Sequence, residues 1–143
     1  MPAAAAKSRT RAVARRKAAP RHGSSGFVPR PWGGYETIAN GAGYQVKRLV
    51  VDPGHRISLQ RHRHRAEHWT VVAGTARIVI GGRTRRLKPR GTVVVPRGAW
   101  HRIENPGRLR VVIIEVQHGS YLGEDDIIRR QDDYGRADGA FRS

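Results

Sequence analysis

Residues 54–74 read GHRISLQRHRHRAEHWTVVAG, a segment that begins and ends with glycine and contains several candidate metal ligands. Gln60 and His62 are two residues apart, so on a β-strand their side chains point to the same face of the sheet. Glu67 follows five residues after His62, far enough for the chain to bend and return on a neighbouring strand. His62 and His64 are also two residues apart and form an alternative first pair of ligands.

A further candidate ligand, His101, follows the turn-forming sequence PRGAW at residues 96–100. The chain contains no cysteine, so any bound metal must be held by nitrogen and oxygen atoms. Two imidazoles, one carboxylate and one amide oxygen suit a divalent ion and leave coordination positions open for water or substrate. We therefore predict one divalent metal ion, zinc or similar, bound by Gln60, His62, Glu67 and His101.

The spacing of these residues resembles the two sequence motifs of the cupin family. The first motif is a glycine, five residues, two ligands separated by one residue, three or four residues, a glutamate, six residues and a glycine. The positions that match the first motif are Gly54, Gln60, His62, Glu67 and Gly74. The positions that match the second motif are Pro96, Gly98, His101 and Asn105, with the leading glycine displaced by one residue to Gly91.

The cupin resemblance implies an all-β fold, a double-stranded β-helix or jelly-roll barrel, with the metal inside. Many cupins have histidine at the position of Gln60. Because an amide oxygen is a weaker ligand than imidazole, the site is expected to be less suited to redox iron, which disfavours an iron-dependent dioxygenase. The alternative pair of His62 and His64 leaves only two residues before Glu67, which is shorter than the motif.

The residues around these motifs also favour an antiparallel sandwich or barrel. Short runs of β-branched residues alternate with glycine and proline, and Gly81-Gly82 is typical of a tight hairpin turn. The strands predicted from this pattern cover residues 44–51, 57–62, 67–72, 76–80, 84–87, 93–95, 102–104 and 110–116. The one segment for which we expect a short helix is residues 124–130, EDDIIRR.

The charge of the chain is unevenly distributed. The formal net charge of +17 includes eight Lys and Arg within residues 1–30, where no Asp or Glu occurs. Residues 1–26 contain too little apolar surface to offset the entropy lost on ordering, so we predict a disordered basic arm at 1–26 and one cupin domain at 27–143. The arm is interpreted as a solvated tail, a non-specific contact for nucleic acid or another polyanion, or an organelle transit peptide.

Two further expectations concern location. The apolar runs are of strand length, short of the roughly 20 residues that span a bilayer, so no membrane segment is predicted. The N-terminal residues also lack the apolar stretch of a secretory signal peptide. A cytoplasmic location is therefore expected.

A long ordered set of segments resembles the C-terminal part of the type II mannose-6-phosphate isomerases. These segments are RPWGGYE at 30–36, VKR at 46–48, PG at 53–54, SLQ at 58–60, HRAEHW at 64–69, GTA at 74–76, PRG at 96–98, HR at 101–102, NPG at 105–107, IEVQ at 114–117, YL at 121–122, EDDI at 124–127 and DYGR at 133–136. That family usually joins this cupin to an N-terminal nucleotidyltransferase domain that makes GDP-mannose, and the sequence contains no counterpart of that domain.

The resemblance implies a metal-dependent isomerase that interconverts mannose 6-phosphate and fructose 6-phosphate, a reaction that feeds GDP-mannose and polysaccharide synthesis. Aldose–ketose isomerisation needs a group that moves a proton, for which His64, Lys47 and Glu115 are candidates. The substrate phosphate needs cations, for which Arg65, Arg102 and Arg129 are candidates.

One alternative function remains open at this point, because fold alone does not fix function. In this alternative the chain is a non-catalytic sugar-binding or regulatory cupin whose basic arm contacts a polyanion. The edge strands of the barrel also make a homodimer plausible.

Overall fold

The computed structural model describes residues 21–22 and 26–136, and every regular element in this part of the chain is a β-strand. The strands are β1 Arg21–His22, β2 Val28–Arg30, β3 Gly33–Gly41, β4 Tyr44–Val51, β5 Leu59–Arg61, β6 Arg65–Ala73, β7 Ala76–Ile80, β8 Arg83–Leu87, β9 Thr92–Val95, β10 His101–Glu104, β11 Val111–Gly119 and β12 Ile128–Gln131. Within the described residues, no helix is long and apolar enough to cross a membrane.

The strands form two antiparallel sheets that share one core. The larger sheet has the order β1-β3-β4-β11-β6-β9, with β2 also paired to β3, and the smaller sheet has the order β12-β5-β10-β7-β8. The core combines Val51, Trp69 and Ile113 from the larger sheet with Ile78 and Ile103 from the smaller one. The all-β cupin architecture predicted from the sequence is confirmed.

The interior of the barrel changes from apolar to polar along its strands. In β6 the buried residues alternate with more exposed ones, and the buried row runs from Val71 and Trp69 to Glu67. The neighbouring strand β11 follows the same sequence of environments, because Glu115 pairs with Trp69 and Gln117 pairs with Glu67. One end of the barrel is therefore a hydrocarbon core, and the other end presents polar side chains to the interior.

The predicted strands all lie within or overlap observed ones, although β1, β2, β3 and β12 were missed. The predicted helix at residues 124–130 is wrong, because this segment makes turns and then enters β12. Tertiary contacts explain the difference: Glu124 pairs with Lys47, and the Asp126 carboxylate accepts backbone N–H groups from a distant loop. Ile128 then pairs with Arg61 of β5.

The predicted basic arm lies mostly outside the described residues, which include only Arg21, His22 and Gly26 of it. Arg21 and His22 pair with Asn40 and Ala39 of β3. The predicted division of the chain at residue 26 stays a prediction.

The two glycines that bound the first motif allow a matched test of the fold. Both have φ of +73°, a conformation that favours glycine. A Cβ at position 54 meets nothing within 4 Å, whereas a Cβ at position 74 lies 2.4 Å from the carbonyl oxygen of Arg110.

We expect Gly54→Ala to lower the free energy of unfolding by about 1–2 kcal/mol, the cost of a left-handed conformation. Gly74→Ala adds a backbone collision and should destabilise the protein by clearly more. Urea unfolding of both variants measures the difference, and equal losses would contradict the close approach at Gly74.

Candidate metal centre

Three predicted ligands, His62, Glu67 and His101, come together inside the barrel. Their side chains are 1–2% exposed, and one potential ligand atom from each lies within 4.8 Å of the others. The two oxygens of Glu67 face different histidines: Oε1 lies 3.1 Å from Nε2 of His62 and Oε2 lies 3.6 Å from Nε2 of His101. The structure therefore collects residues from two motifs and two sheets into one cluster.

The other nitrogen of each imidazole is held by the backbone. Nδ1 of His62 lies 2.6 Å from the carbonyl oxygen of Asp126, and Nδ1 of His101 lies 2.9 Å from that of Ala99. An Nδ1 that is held by a backbone carbonyl orients each imidazole, so that Nε2, the nitrogen facing Glu67, is the one available to a metal ion. Nε2 of His101 is buried and has no hydrogen-bond partner in the described part of the chain. This donor set fits a divalent ion.

The electrostatics of the cluster also favour metal binding at neutral pH. Burial acts to raise the pKa of Glu67, but the hydrogen bond from His62 and the charges of His101, His62 and Arg65 lower it to about 2. Burial lowers the pKa of His101 to about 4. Glu67 is therefore a carboxylate and His101 a neutral imidazole at pH 7, and these are the forms that coordinate metal ions.

A cavity opens beside the cluster and is lined by several predicted site residues. Glu67 contributes to both the cluster and the cavity wall, so it connects the two. The other predicted site residues on the wall are Lys47, Gln60, Arg65, Glu115 and Arg129. Gln60 pairs with His101 across β5 and β10, and its Oε1 lies 3.4 Å from Oγ of Ser58.

Arg65 lies between the cluster and the cavity. Its Nε donates to Oε1 of Glu67 at 3.0 Å, and its Nη2 lies 3.2 Å from Nε2 of His62. Its Nη1 is buried without a hydrogen-bond partner among the described residues. Because a buried guanidinium N–H without an acceptor is unfavourable, this group is suited to an oxygen of a ligand in the cavity.

Two titratable groups of β4 and β11, strands of the same sheet as β6, also line the cavity. Lys47 pairs with Glu115 in the sheet register, and its ammonium contacts the Glu124 carboxylate and the Tyr35 ring. Glu115 accepts a hydrogen bond from Nε2 of Gln117. Burial, followed by the negative charge of Glu67, raises the pKa of Glu115 to about 8.

Two predicted site residues do not reach the cavity. His64 is exposed in the connection between β5 and β6, where its ring packs edge-on against Tyr121. Arg102 follows the inward-facing His101 by one residue and so faces the outside of the sheet, where it contacts Glu104 and Gln131. The candidate roles of His64 as a base or ligand and of Arg102 as a phosphate contact therefore lack support from the geometry.

Sequence reasoning missed Asp126, Gln117 and Glu124 as residues of this region. The position of Gln117 could have been predicted, since it lies two residues after Glu115 and therefore faces the same side of β11. The positions of Asp126 and Glu124 could not be predicted from a local sequence pattern, because their contacts join residues more than 60 positions apart.

Solved structures with a similar fold define the class of protein. The capsular polysaccharide assembling protein CapF from Staphylococcus aureus aligns with a TM-score of 0.67 at 19% identity, over 73% of this chain and 34% of that one. The Cnp3 cupin domain of Schizosaccharomyces pombe aligns with a TM-score of 0.58 at 17% identity, over 60% and 64%. The two-sheet barrel is a cupin.

The sequence comparison specifies the family more closely. Residues 16–132 match the family described as Mannose-6-phosphate isomerase C-terminal, and the chain belongs to it. Mannose-1-phosphate guanylyltransferase ManC of Salmonella typhimurium is 53% identical over 109 residues, as is the xanthan biosynthesis protein XanB of Xanthomonas campestris. The alginate biosynthesis protein AlgA of Pseudomonas aeruginosa is 51% identical over 109 residues.

Each of these alignments covers 76% of this chain. The chain matches only 23% of the length of each of these curated relatives. The family resemblance stated from the sequence is confirmed.

Metal analysis of purified variants tests the ligand assignment. Glu67→Ala and His101→Ala should each lose the ion, because each removes one of a few ligands, whereas His64→Ala should retain it. Elemental analysis gives the metal content per chain. Full occupancy in both the Glu67 and His101 variants would refute the cluster, and loss of metal in His64→Ala alone would favour the alternative ligand pair.

The raised pKa of Glu115 predicts a dependence of stability on pH. The folded state holds a proton that the unfolded chain releases, so the contribution of this group is complete below the ordinary pKa of 4.5 and is lost as pH rises to about 8. Relative to Glu115→Gln, the metal-free wild type should therefore lose stability over this interval. Urea unfolding at several pH values measures the difference, and parallel profiles would contradict a protonated Glu115.

Proposed function

We propose that the protein is a metal-dependent isomerase that interconverts mannose 6-phosphate and fructose 6-phosphate. One observation carries this proposal: in a member of this family, a His–Glu–His cluster adjoins a cavity that also contains a buried arginine N–H without a partner. The cluster provides a place for a Lewis acid and the arginine a contact for an anionic substrate. Both are needed to bind and polarise a sugar phosphate.

The proposed ligands are His62, Glu67 and His101, with the amide oxygen of Gln60 as the fourth. Gln60 supports this role by lining the same cavity as Glu67 and pairing with His101. When bound, a divalent ion supplies a Lewis acid for the carbonyl oxygen of the sugar.

The substrate phosphate is assigned to the cationic side of the cavity. Arg65 supports this role by its unpartnered Nη1, and Arg129 by its place on the cavity wall beside Gln60, with which it pairs in the sheet. A guanidinium can present two parallel N–H groups to a phosphate, which orients the sugar as well as holding it. The contact between Arg65 and Glu67 fixes the position of the guanidinium.

Glu115 is the proposed proton-transfer group between C1 and C2 of the sugar. It lines the cavity, and a pKa of about 8 gives it substantial populations of both the acid and the base form near neutral pH. Lys47 is the other candidate, but its ammonium is already engaged by Glu124. In this arrangement Lys47 supplies positive charge next to the carboxyl group that exchanges the proton.

The wider setting is also a proposal, because the curated relatives are much longer than the matching segment. We place the isomerase reaction before GDP-mannose and polysaccharide synthesis; the relative named as a mannose-1-phosphate guanylyltransferase supports the first, and the xanthan and alginate relatives support the second. A cytoplasmic location, a homodimer and a polyanion contact through residues 1–26 stay predictions.

A coupled assay for fructose 6-phosphate formation from mannose 6-phosphate tests the proposal directly. We expect activity that a chelator abolishes and a divalent ion restores. Unphosphorylated mannose should react poorly because it lacks the anion that Arg65 binds. If the metal-loaded protein binds the sugar phosphate but forms no fructose 6-phosphate and incorporates no solvent deuterium at C1 or C2, the protein is a sugar-binding module instead.

Replacing Glu115 separates proton transfer from metal binding in the same assay. Glu115→Gln should lower kcat by roughly 100- to 10 000-fold, the usual contribution of a general base, and keep its metal. The matched control is Glu36→Gln, because Glu36 pairs with Arg48 away from the cavity. Full activity in the Glu115 variant would contradict this role and would indicate that Lys47 transfers the proton.

A further inference from the structure

His62 is the one residue of the ligand cluster that no β-strand holds. Glu67 lies within β6 and pairs with both Gln117 of β11 and Val95 of β9. His101 begins β10 and pairs with strands on both sides. By contrast, β5 ends at Arg61 and β6 begins at Arg65, so His62 is in the connection between them. Its position must be fixed by other contacts.

Asp126 supplies three of these contacts, from a segment more than 60 residues away. Its Oδ1 accepts the backbone N–H of Arg63 at 3.0 Å, and its Oδ2 accepts that of His64 at 2.9 Å. Its own carbonyl oxygen lies 2.6 Å from Nδ1 of His62. Asp126 is only 8% exposed, and each carboxylate oxygen is engaged by a backbone amide, so it is not itself a ligand.

We propose that Asp126 is a positioning residue for the metal centre, whose carboxylate fixes the backbone after His62 and whose carbonyl fixes the imidazole with Nε2 directed at Glu67. The inference rests on the metal-binding part of the proposed function. It assigns the affinity for the ion partly to a side chain that does not touch the ion.

The physical reason is preorganisation. A ligand on a mobile connection must be ordered when the ion binds, and the entropy lost reduces the affinity. A carboxylate that accepts two backbone N–H groups forms charge-assisted hydrogen bonds, which are stronger than neutral ones. Every residue at position 126 retains a backbone carbonyl, but only an acidic side chain anchors that carbonyl against His62 through both amides.

The neighbouring Asp125 provides a matched control. Its side chain is exposed and contacts the hydroxyl of Tyr121 rather than the connection between β5 and β6. Asp125→Asn and Asp126→Asn therefore make the same chemical change at adjacent positions. The Asn side chain at 126 has one oxygen to accept an amide, while its NH₂ group faces the second amide donor.

The experiment measures the zinc affinity of the full chain by competition with a chromogenic chelator at a temperature well below melting. We expect Asp126→Asn to bind zinc about 10- to 100-fold more weakly than wild type, the usual effect of losing a partner that orients a ligand. Asp125→Asn should bind like wild type. Equal affinities for the two variants would overturn the proposal.

Two further measurements distinguish positioning from a merely structural role. The cobalt complex of Asp126→Asn should show an altered visible spectrum, because the spectrum reports the ligand geometry, whereas that of Asp125→Asn should not. Melting of the metal-free variants reports stability separately. A lower melting temperature with unchanged zinc affinity and cobalt spectrum would show that Asp126 supports only the fold, and would overturn the proposal.

Asp126→Ala extends the series, and its zinc affinity should fall below that of Asp126→Asn; if it does not fold, the isosteric Asn variant carries the test. The outcome is independent of the isomerase assay. A wild type that binds zinc without isomerising sugar phosphates would refute the proposed function, while the two Asp variants would still decide the role of Asp126.

Discussion

The buried carboxylate of Glu67 is the constraint on which the polar half of the barrel depends. A side chain that is 2% exposed and negatively charged is strongly unfavourable unless it is compensated. The compensation comes from Arg65, Trp69 and His62, which lie at 3.0, 3.1 and 3.1 Å from its oxygens. These contacts explain why an arginine and a histidine are tolerated inside a small barrel.

The same carboxylate shapes the groups around it. Its negative charge adds to burial in raising the pKa of Glu115 on the neighbouring strand. It also holds the Arg65 guanidinium so that the Nη1 amino group remains for the cavity. A single buried charge on β6 thereby couples the proposed metal ligands, the proposed phosphate contact Arg65 and the proposed proton-transfer group Glu115 of β11.

The outer surface of the smaller sheet shows why alternation along a strand matters. His101 and Ile103 point inward from β10, whereas Arg102 and Glu104 face outward and take part in an ion-pair network with Arg56. The network is partly exposed, so its contribution to stability is small. This alternation, which the position of the neighbouring His101 specifies, places Arg102 on the face of the sheet away from the cluster.

The sequence by itself determined the all-β class and the candidate ligands His62, Glu67 and His101, because residue type, two-residue periodicity and glycine spacing are local properties. Only the tertiary structure decided that His64 faces outward and that residues 124–130 do not form a helix. The reason is that Asp126 contacts residues more than 60 positions earlier. Contacts over such distances depend on how the strands assemble, and no local pattern encodes them.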